Sequence, residues 1–334
     1  MKKKTVIGAA FAAGAAAALG LTTYATANHL LEIAIRRDGK LSDITGGRNV
    51  MGKGWEHFHD KITAGEEWYY KCPCSVLEIY SEDALRLNGK FYEHGMADVD
   101  SQDEFNEYDE GKGVVIMVHG YRSNTRRDLA FTAKKLYEAG YDILLIDNRA
   151  HNQSQGKYIT LGQKEARDIV CWVNHVKALK GGKPIFLYGL SMGATAVMLS
   201  LEDKDISGKI SGIIADCGFT SPGVMVKDLL KTSFHLPEKP FYSVANALFK
   251  KKTGCTFDKS TVEVLGRSKV PALFIHGEKD SFVSYNMSRE NYEASAADGE
   301  KKKLLIVPGA THGQSVYRDT EAVIGSICSF MEEV

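Results

Sequence analysis

Short apolar runs, each four to seven residues long and rich in branched side chains, recur along the chain from residue 75 onward. "SVLEIYS" and "LRLNGKFYE" are separated by a short turn and read as an antiparallel pair. "VVIMVHG", "DILLIDN", "PIFLYGLS", "SGIIADC", "PALFIHGEKD" and "KLLIVPGATHG" follow as strands that are apolar throughout. Between most of them the pattern shifts to helical spacing, over 127–139, 163–179, 192–202, 284–297 and 317–333. Strands without polar alternation, joined by helices, bury both faces, which predicts an α/β fold with a mostly parallel central sheet of about eight strands flanked by helices.

Three intervals depart from that rhythm. Between Gly218 and Lys269 no clean strand appears; "VMVKDLLKTSF" and "FYSVANALFKK" read as helices around "HLPEKP". An insertion after a strand end, where α/β sheets place their ligand crevice, is expected to form a helical cap at about 218–269. Ahead of the sheet, Trp55, Phe58, Ile62 and Trp68 or Tyr69 fall at helical spacing, predicting one amphipathic helix within a 36–74 connector region. His57 and His59, two apart, point to different faces of it and do not make a metal site.

The third interval is residues 1–35. "MKKKTVIGAAFAAGAAAALGLTTYATA" sets a lysine cluster before more than twenty uncharged residues and ends on Ala25-Thr26-Ala27, the order of an export signal cut after Ala27. The run carries on through "NHLLEIAI" to Arg36, long enough for a retained membrane anchor instead. Both readings stay open, and both place the rest of the chain outside, with Lys2, Lys3 and Lys4 on the cytoplasmic side.

Composition narrows the function. The 42 basic and 42 acidic residues of the 334 cancel, and no basic stripe with interleaved aromatics appears, so a nucleic-acid partner is excluded. Six cysteines are too few for a disulfide framework; Cys171 and Cys217 read as core residues, and Cys72-Pro73-Cys74 as a turn.

Chemistry concentrates in "LYGLSMGATA". Gly189-Leu190-Ser191-Met192-Gly193 follows an apolar strand and opens a helix, the context that gives G-x-S-x-G its meaning. Glycines are needed because a strand turning abruptly into a helix crowds the backbone around the serine. The turn brings the Met192 amide, at the positive helix end, toward an oxyanion beside Ser191. A second amide is expected from Tyr121, after the sharp turn at Gly120; His119 would pin that loop.

Two strand-end carboxylates compete for the acid. Asp280 lies on a loop past its strand and precedes the last histidine loop, whereas Asp216 directly ends its strand and more simply orders the chain there. Asp147 is weaker, since neighbouring Arg149 offers it an ion pair. For the base, His312 follows the final strand and completes the order Ser, Asp, His. His276, ending its strand before glycine, takes a structural role like His119, and His151, His175 and His235 lack comparable context.

The chain resembles the α/β-hydrolases over roughly residues 75–334, through "VHGY", "DNRAHNQSQG", "GLSMGA", "HGEKDSFV" and "GATHG". With its N-terminal apolar segment and "IADCGFTSP" before a helical cap, it is similar to exported or membrane-anchored bacterial hydrolases of the YqkD-like group, which are grouped with serine aminopeptidase-like sequences. Asn152 stands where that pattern has glycine. The residues and the resemblance together point to a serine hydrolase of the carboxylesterase type acting on a small acyl substrate, with Ser191, His312 and Asp280 as triad and no metal or organic cofactor. Peptidase and thioesterase or lipase-like activities are the alternatives, with a non-catalytic binding protein the remaining class. Phe219, Phe234, Phe241 and Tyr242 are candidate substrate contacts.

Overall fold

A computed structural model describes residues 2–39, 54–94 and 111–334, with side chains from residue 19 onward. Residues 40–53 of the expected 36–74 connector region lie outside these. The described residues form two compact units: one holds the N-terminal helix with Pro222–Lys259, the other the sheet and its helices.

The sheet unit contains eight strands, β1 (Ser75–Tyr80), β2 (Arg86–Tyr92), β3 (Val114–Val118), β4 (Asp142–Ile146), β5 (Ile185–Leu190), β6 (Gly212–Asp216), β7 (Ala272–Gly277) and β8 (Lys302–Val307). Their order is β1-β2-β4-β3-β5-β6-β7-β8. β2 runs antiparallel to β1 and to β4, and every other neighbour is parallel. Every residue of β3, β4, β5, β6 and β7 is buried, which is why these segments show no polar alternation.

Alternate strand residues feed two cores. Ile116, Val118, Leu144 and Leu187 pack with Ile169, Trp172 and Val176 of one helix (Gln163–Lys180) and Ala194 and Val197 of the helix after β5. On the opposite face Val115, Met117, Ile143 and Phe186 pack with Leu129 and Leu136 of the helix Thr125–Glu138 and Val323, Ile327 and Phe330 of the C-terminal helix. The amphipathic segment before β1 joins this second core: Trp55–Phe58 is a 3-10 turn, His59–Lys71 an α-helix, and Trp55, Phe58, Ile62, Trp68 and Tyr69 pack inward.

One expected element divides. The helix predicted over 317–333 is two pieces, Ser315–Arg318 and Thr320–Glu333, because Asp319 leaves helical geometry and caps the second by accepting from the Ala322 amide.

In the other unit, helix Lys2–Ile35 packs on helix Glu238–Thr253, and Pro222–Thr232 completes the group. Thr23, Ala27, Leu31 and Ile35, spaced by four, are buried, and Glu32 pairs with Lys252 at 2.5 Å. Among the described residues no helix is long and apolar enough to cross a membrane.

Candidate active site

The turn from β5 into the helix Met192–Ser200 sets the geometry. Ser191 sits at φ 56°, ψ −115°, a conformation a non-glycine residue holds only when its surroundings enforce it. They do so through the backbone: the Ser191 amide donates to the Asp216 carbonyl (2.8 Å) and the Thr195 amide donates to the Ser191 carbonyl (3.0 Å). A Cβ on Gly189 would lie 2.4 Å from the Gly193 carbonyl carbon, and one on Gly193 would lie 2.1 Å from the Val118 oxygen. Both glycines are therefore required by close approach. Met192, at the first helical position, is fully buried, in the turn whose amides lack helical partners.

The loop after β3 closes against this turn; a Cβ on Gly120 would be 3.5 Å from the Ser191 Cβ. Four side chains hold it. His119 Nδ1–H donates to the Gly120 carbonyl (2.8 Å) while its Nε2 accepts from the Asn148 amide (3.2 Å). His151 Nδ1–H donates to the Arg149 carbonyl (2.9 Å) and its Nε2 accepts from the Arg122 amide (3.1 Å). Asp128 accepts from the Gly120 amide (2.8 Å) on one oxygen and from the Ser123 hydroxyl (2.5 Å) on the other, and Asn124 caps the following helix. Burial pushes both imidazoles down to about 4, so they are neutral pins. Gly120 and Arg122, the neighbours of Tyr121, are thus fixed on either side of it. The pinning role expected for His119 is what its contacts show; His151 was missed because its partner lies in another loop, and Asp128 because it reads as an ordinary first-turn helix acid.

Asp280 and His312 arrive from loops after β7 and β8, tied together by the Lys279 amide donating to the Ala310 carbonyl (2.8 Å). His312 Nδ1–H donates to Asp280 Oδ2 (2.7 Å), leaving Nε2 to accept from the Ser191 hydroxyl (2.9 Å). Ser191, His312 and Asp280 are all buried. Asp280 Oδ1 accepts from the Phe282 and Val283 amides, each at 2.9 Å. Burial alone would raise the Asp280 carboxyl; hydrogen bonds from His276 and His312 overcome it and hold the group well below the usual carboxylate range. Phe282, a residue that no sequence pattern singled out, stands edge-on to the His312 ring with centroids 5.1 Å apart.

The other acidic candidates have separate work. Asp216 accepts from the Tyr188 hydroxyl (3.1 Å) and the Ser315 hydroxyl (3.4 Å), and burial raises it to about 6. The ion pair expected between Asp147 and Arg149 is not formed. Arg149 binds Asp168 through two hydrogen bonds (2.7 and 2.6 Å) and Asp83 through two more (3.0 Å each), so its guanidinium is fully engaged by those two carboxylates. Asp147 instead accepts from Asn152 Nδ2 (2.9 Å) and the Gln153 amide (3.2 Å). This accounts for asparagine in the glycine position: at φ 41° it tolerates the left-handed conformation and its amide holds Asp147.

Cys217 Sγ and the nearest ligand atoms of Asp280 and His312 lie within 4.8 Å of one another. Burial raises the Cys217 thiol well above its ordinary range, and the His312 Nδ1 is engaged by Asp280, a state of both groups that disfavours metal ligation.

Among the candidate substrate contacts, Phe219 belongs to the sheet unit, buried, with its amide donating to Thr195 Oγ1 (3.1 Å). Phe234, Phe241 and Tyr242 are half-buried in the other unit. Tyr242 donates its hydroxyl to Asp258 (2.7 Å) and lies 5.8 Å from the Phe257 ring.

An eight-stranded, mostly parallel sheet flanked by helices, with a strained serine at the end of β5, is the α/β-hydrolase fold. Residues 109–253 match the family described as serine aminopeptidase, S33. The uncharacterized protein YqkD of Bacillus subtilis (strain 168) is 25% identical over 222 residues, 66% of this chain and 71% of that protein. Among solved structures, the Pyrococcus furiosus esterase Pf2001 superposes with TM-score 0.61 at 24% identity, covering 78% of this chain and 91% of the esterase. Est1E of Butyrivibrio proteoclasticus, with ferulic acid bound, gives TM-score 0.55 at 20% identity over 77% of this chain and 98% of its own.

Proposed function

We propose that the protein is a serine hydrolase of the carboxylesterase type, working on a small acyl ester through an acyl-enzyme. The observation that carries this reading is the continuous hydrogen-bonded path from Ser191 Oγ through His312 to Asp280. Oγ attacks the ester carbonyl as His312 Nε2 takes its proton, and Asp280 stabilises the imidazolium while fixing the ring. The Met192 and Tyr121 amides are the donors assigned to the oxyanion. His312 then protonates the leaving alcohol, activates water for attack on the acyl-enzyme, and returns the proton to Ser191 as the acid departs.

Esters are preferred over aminoacyl amides for a physical reason. An aminopeptidase needs a carboxylate to hold the substrate ammonium, and Glu238 of the cap is already paired with Lys227 at 3.0 Å. The names of the structural neighbours, an esterase and a protein with ferulic acid bound, support the same choice.

A panel of p-nitrophenyl acetate, butyrate and octanoate, an acyl thioester and an aminoacyl amide tests the proposal together with a fluorophosphonate probe. The expected result is ester turnover at least about 100-fold above the amide, the gap a mismatched polar group imposes, and probe attached to Ser191 by peptide mapping. Label on another residue, or faster amide turnover, overturns it.

We also propose that the enzyme acts outside the cytoplasm with its N-terminal helix retained. Supporting retention, cleavage after Ala27 would remove half of the buried four-residue stripe that Thr23, Ala27, Leu31 and Ile35 make. The mass of the mature protein from its native host reads this directly; an N-terminus at Asn28 would reject it.

A further inference from the structure

His276 ends β7 with its ring wholly buried, four residues before the proposed catalytic acid, and the mechanism above does not use it. Its Nε2 faces Asp280 Oδ2 at 3.1 Å and the Val283 carbonyl at 2.9 Å. Both are acceptors, so Nε2 carries a hydrogen. Nδ1 meets the hydroxyl of buried Ser288 at 2.7 Å, which fixes the ring plane from the far side. Asp280 Oδ2 is therefore shared by two imidazoles, His312 Nδ1–H and His276 Nε2–H, while Oδ1 takes two backbone amides.

We infer that His276 is a positioning residue for catalysis, whose Nε2–H fixes the orientation of Asp280 and draws off part of the charge that Asp280 presents to His312. This rests on the reading of Ser191, His312 and Asp280 as the catalytic triad. The orientation follows from counting acceptors. With His276 in place the carboxylate is held on both oxygens independently of His312, so the base rotates against a fixed partner. The charge effect has one sign. A second donor on Oδ2 lowers the capacity of that oxygen to stabilise an imidazolium at His312. Removing it concentrates the charge on His312, which then holds its proton to higher pH, whether His276 itself is neutral or charged.

The other titratable groups facing this cluster are Asp216 at the end of β6 and Cys217 beside it, with Asp128 facing His312 from the helix Thr125–Glu138. None of them contacts His276 by a hydrogen bond among the described residues. His119 and His151, with values near 4, do not titrate on the acid limb of activity above about pH 5.

The test compares His276→Leu, which removes the donor, with His276→Gln, whose amide N–H reaches toward the same oxygen. For His276→Leu, kcat on a soluble p-nitrophenyl ester should fall on the order of tenfold, the scale of a reacting group misplaced by a fraction of an ångström, with KM little changed. The acid limb of kcat/KM should move upward by about half to one pH unit. His276→Gln should keep the wild-type limb. An unmoved acid limb in His276→Leu, or an equal shift in His276→Gln, overturns the inference.

Should His276→Leu fail to fold, wild-type protein labelled with 15N-histidine decides the donor. An Nε2–H proton on His276 is expected in its NMR spectrum, and a ring protonated on Nδ1 alone overturns the inference. Failure of the triad itself would show differently, as ester turnover surviving Ser191→Ala.

Discussion

Ser191→Ala should lower kcat on an ester by about 10⁴- to 10⁶-fold, with KM and the unfolding midpoint nearly unchanged. The size follows from what the hydroxyl does: His312 Nε2 has Ser191 Oγ as its partner at 2.9 Å, and without it there is no acyl-enzyme. What survives comes from the oxyanion donors and from binding, which the substitution leaves in place. Stability should stay within about 0.5 kcal/mol, because alanine inherits the same φ of 56° and the backbone hydrogen bonds at residues 191 and 195 do not involve the hydroxyl. His312→Ala should cost nearly as much, and the double variant little more, since the two act as one unit. Turnover by Ser191→Ala within tenfold of wild type would sink the serine mechanism altogether.

Much of the fold was legible because burial leaves a trace in the sequence. β3 through β7 are covered on both faces, so they appear as unbroken apolar runs, and the loops that follow β5, β7 and β8 carry Ser191, Asp280 and His312 in chain order. The elbow was legible for a different reason, since only glycine satisfies the approaches at 189 and 193. What stayed hidden depends on the choice of partner. Asp128 holds Gly120 eight residues back, His151 holds Arg122 from another loop, and Arg149 reaches Asp83 and Asp168 rather than the aspartate two residues away. A charged residue announces that it needs a partner, not which one. The N-terminal segment shows the same limit: small and apolar residues spelled a leader or an anchor, while the stripe Thr23, Ala27, Leu31 and Ile35 acquires meaning only beside the helix Glu238–Thr253.

Gly193→Ala should abolish soluble folded protein or cost more than about 3 kcal/mol, although it adds a single methyl to a helix. Propensity alone predicts the opposite, a gain approaching 1 kcal/mol for alanine over glycine. The competing term is steric: the methyl would stand 2.1 Å from the Val118 oxygen, 2.7 Å from its carbonyl carbon and 2.8 Å from the His119 oxygen. Those atoms cannot yield as a flexible side chain would. Val118 ends β3, paired to both β4 and β5, and His119 begins the loop whose amides are pinned by Asp128 and His151. Relief would require breaking strand pairing or moving the loop after β3 away from Ser191. Gly325→Ala is the control, an exposed glycine inside the helix Thr320–Glu333 with nothing within 4 Å of the added Cβ. It should stabilise by about 0.5–1 kcal/mol. Urea unfolding of the two variants beside wild type separates the terms, and a Gly193→Ala midpoint equal to that of wild type would refute the close approach on which the nucleophile turn depends.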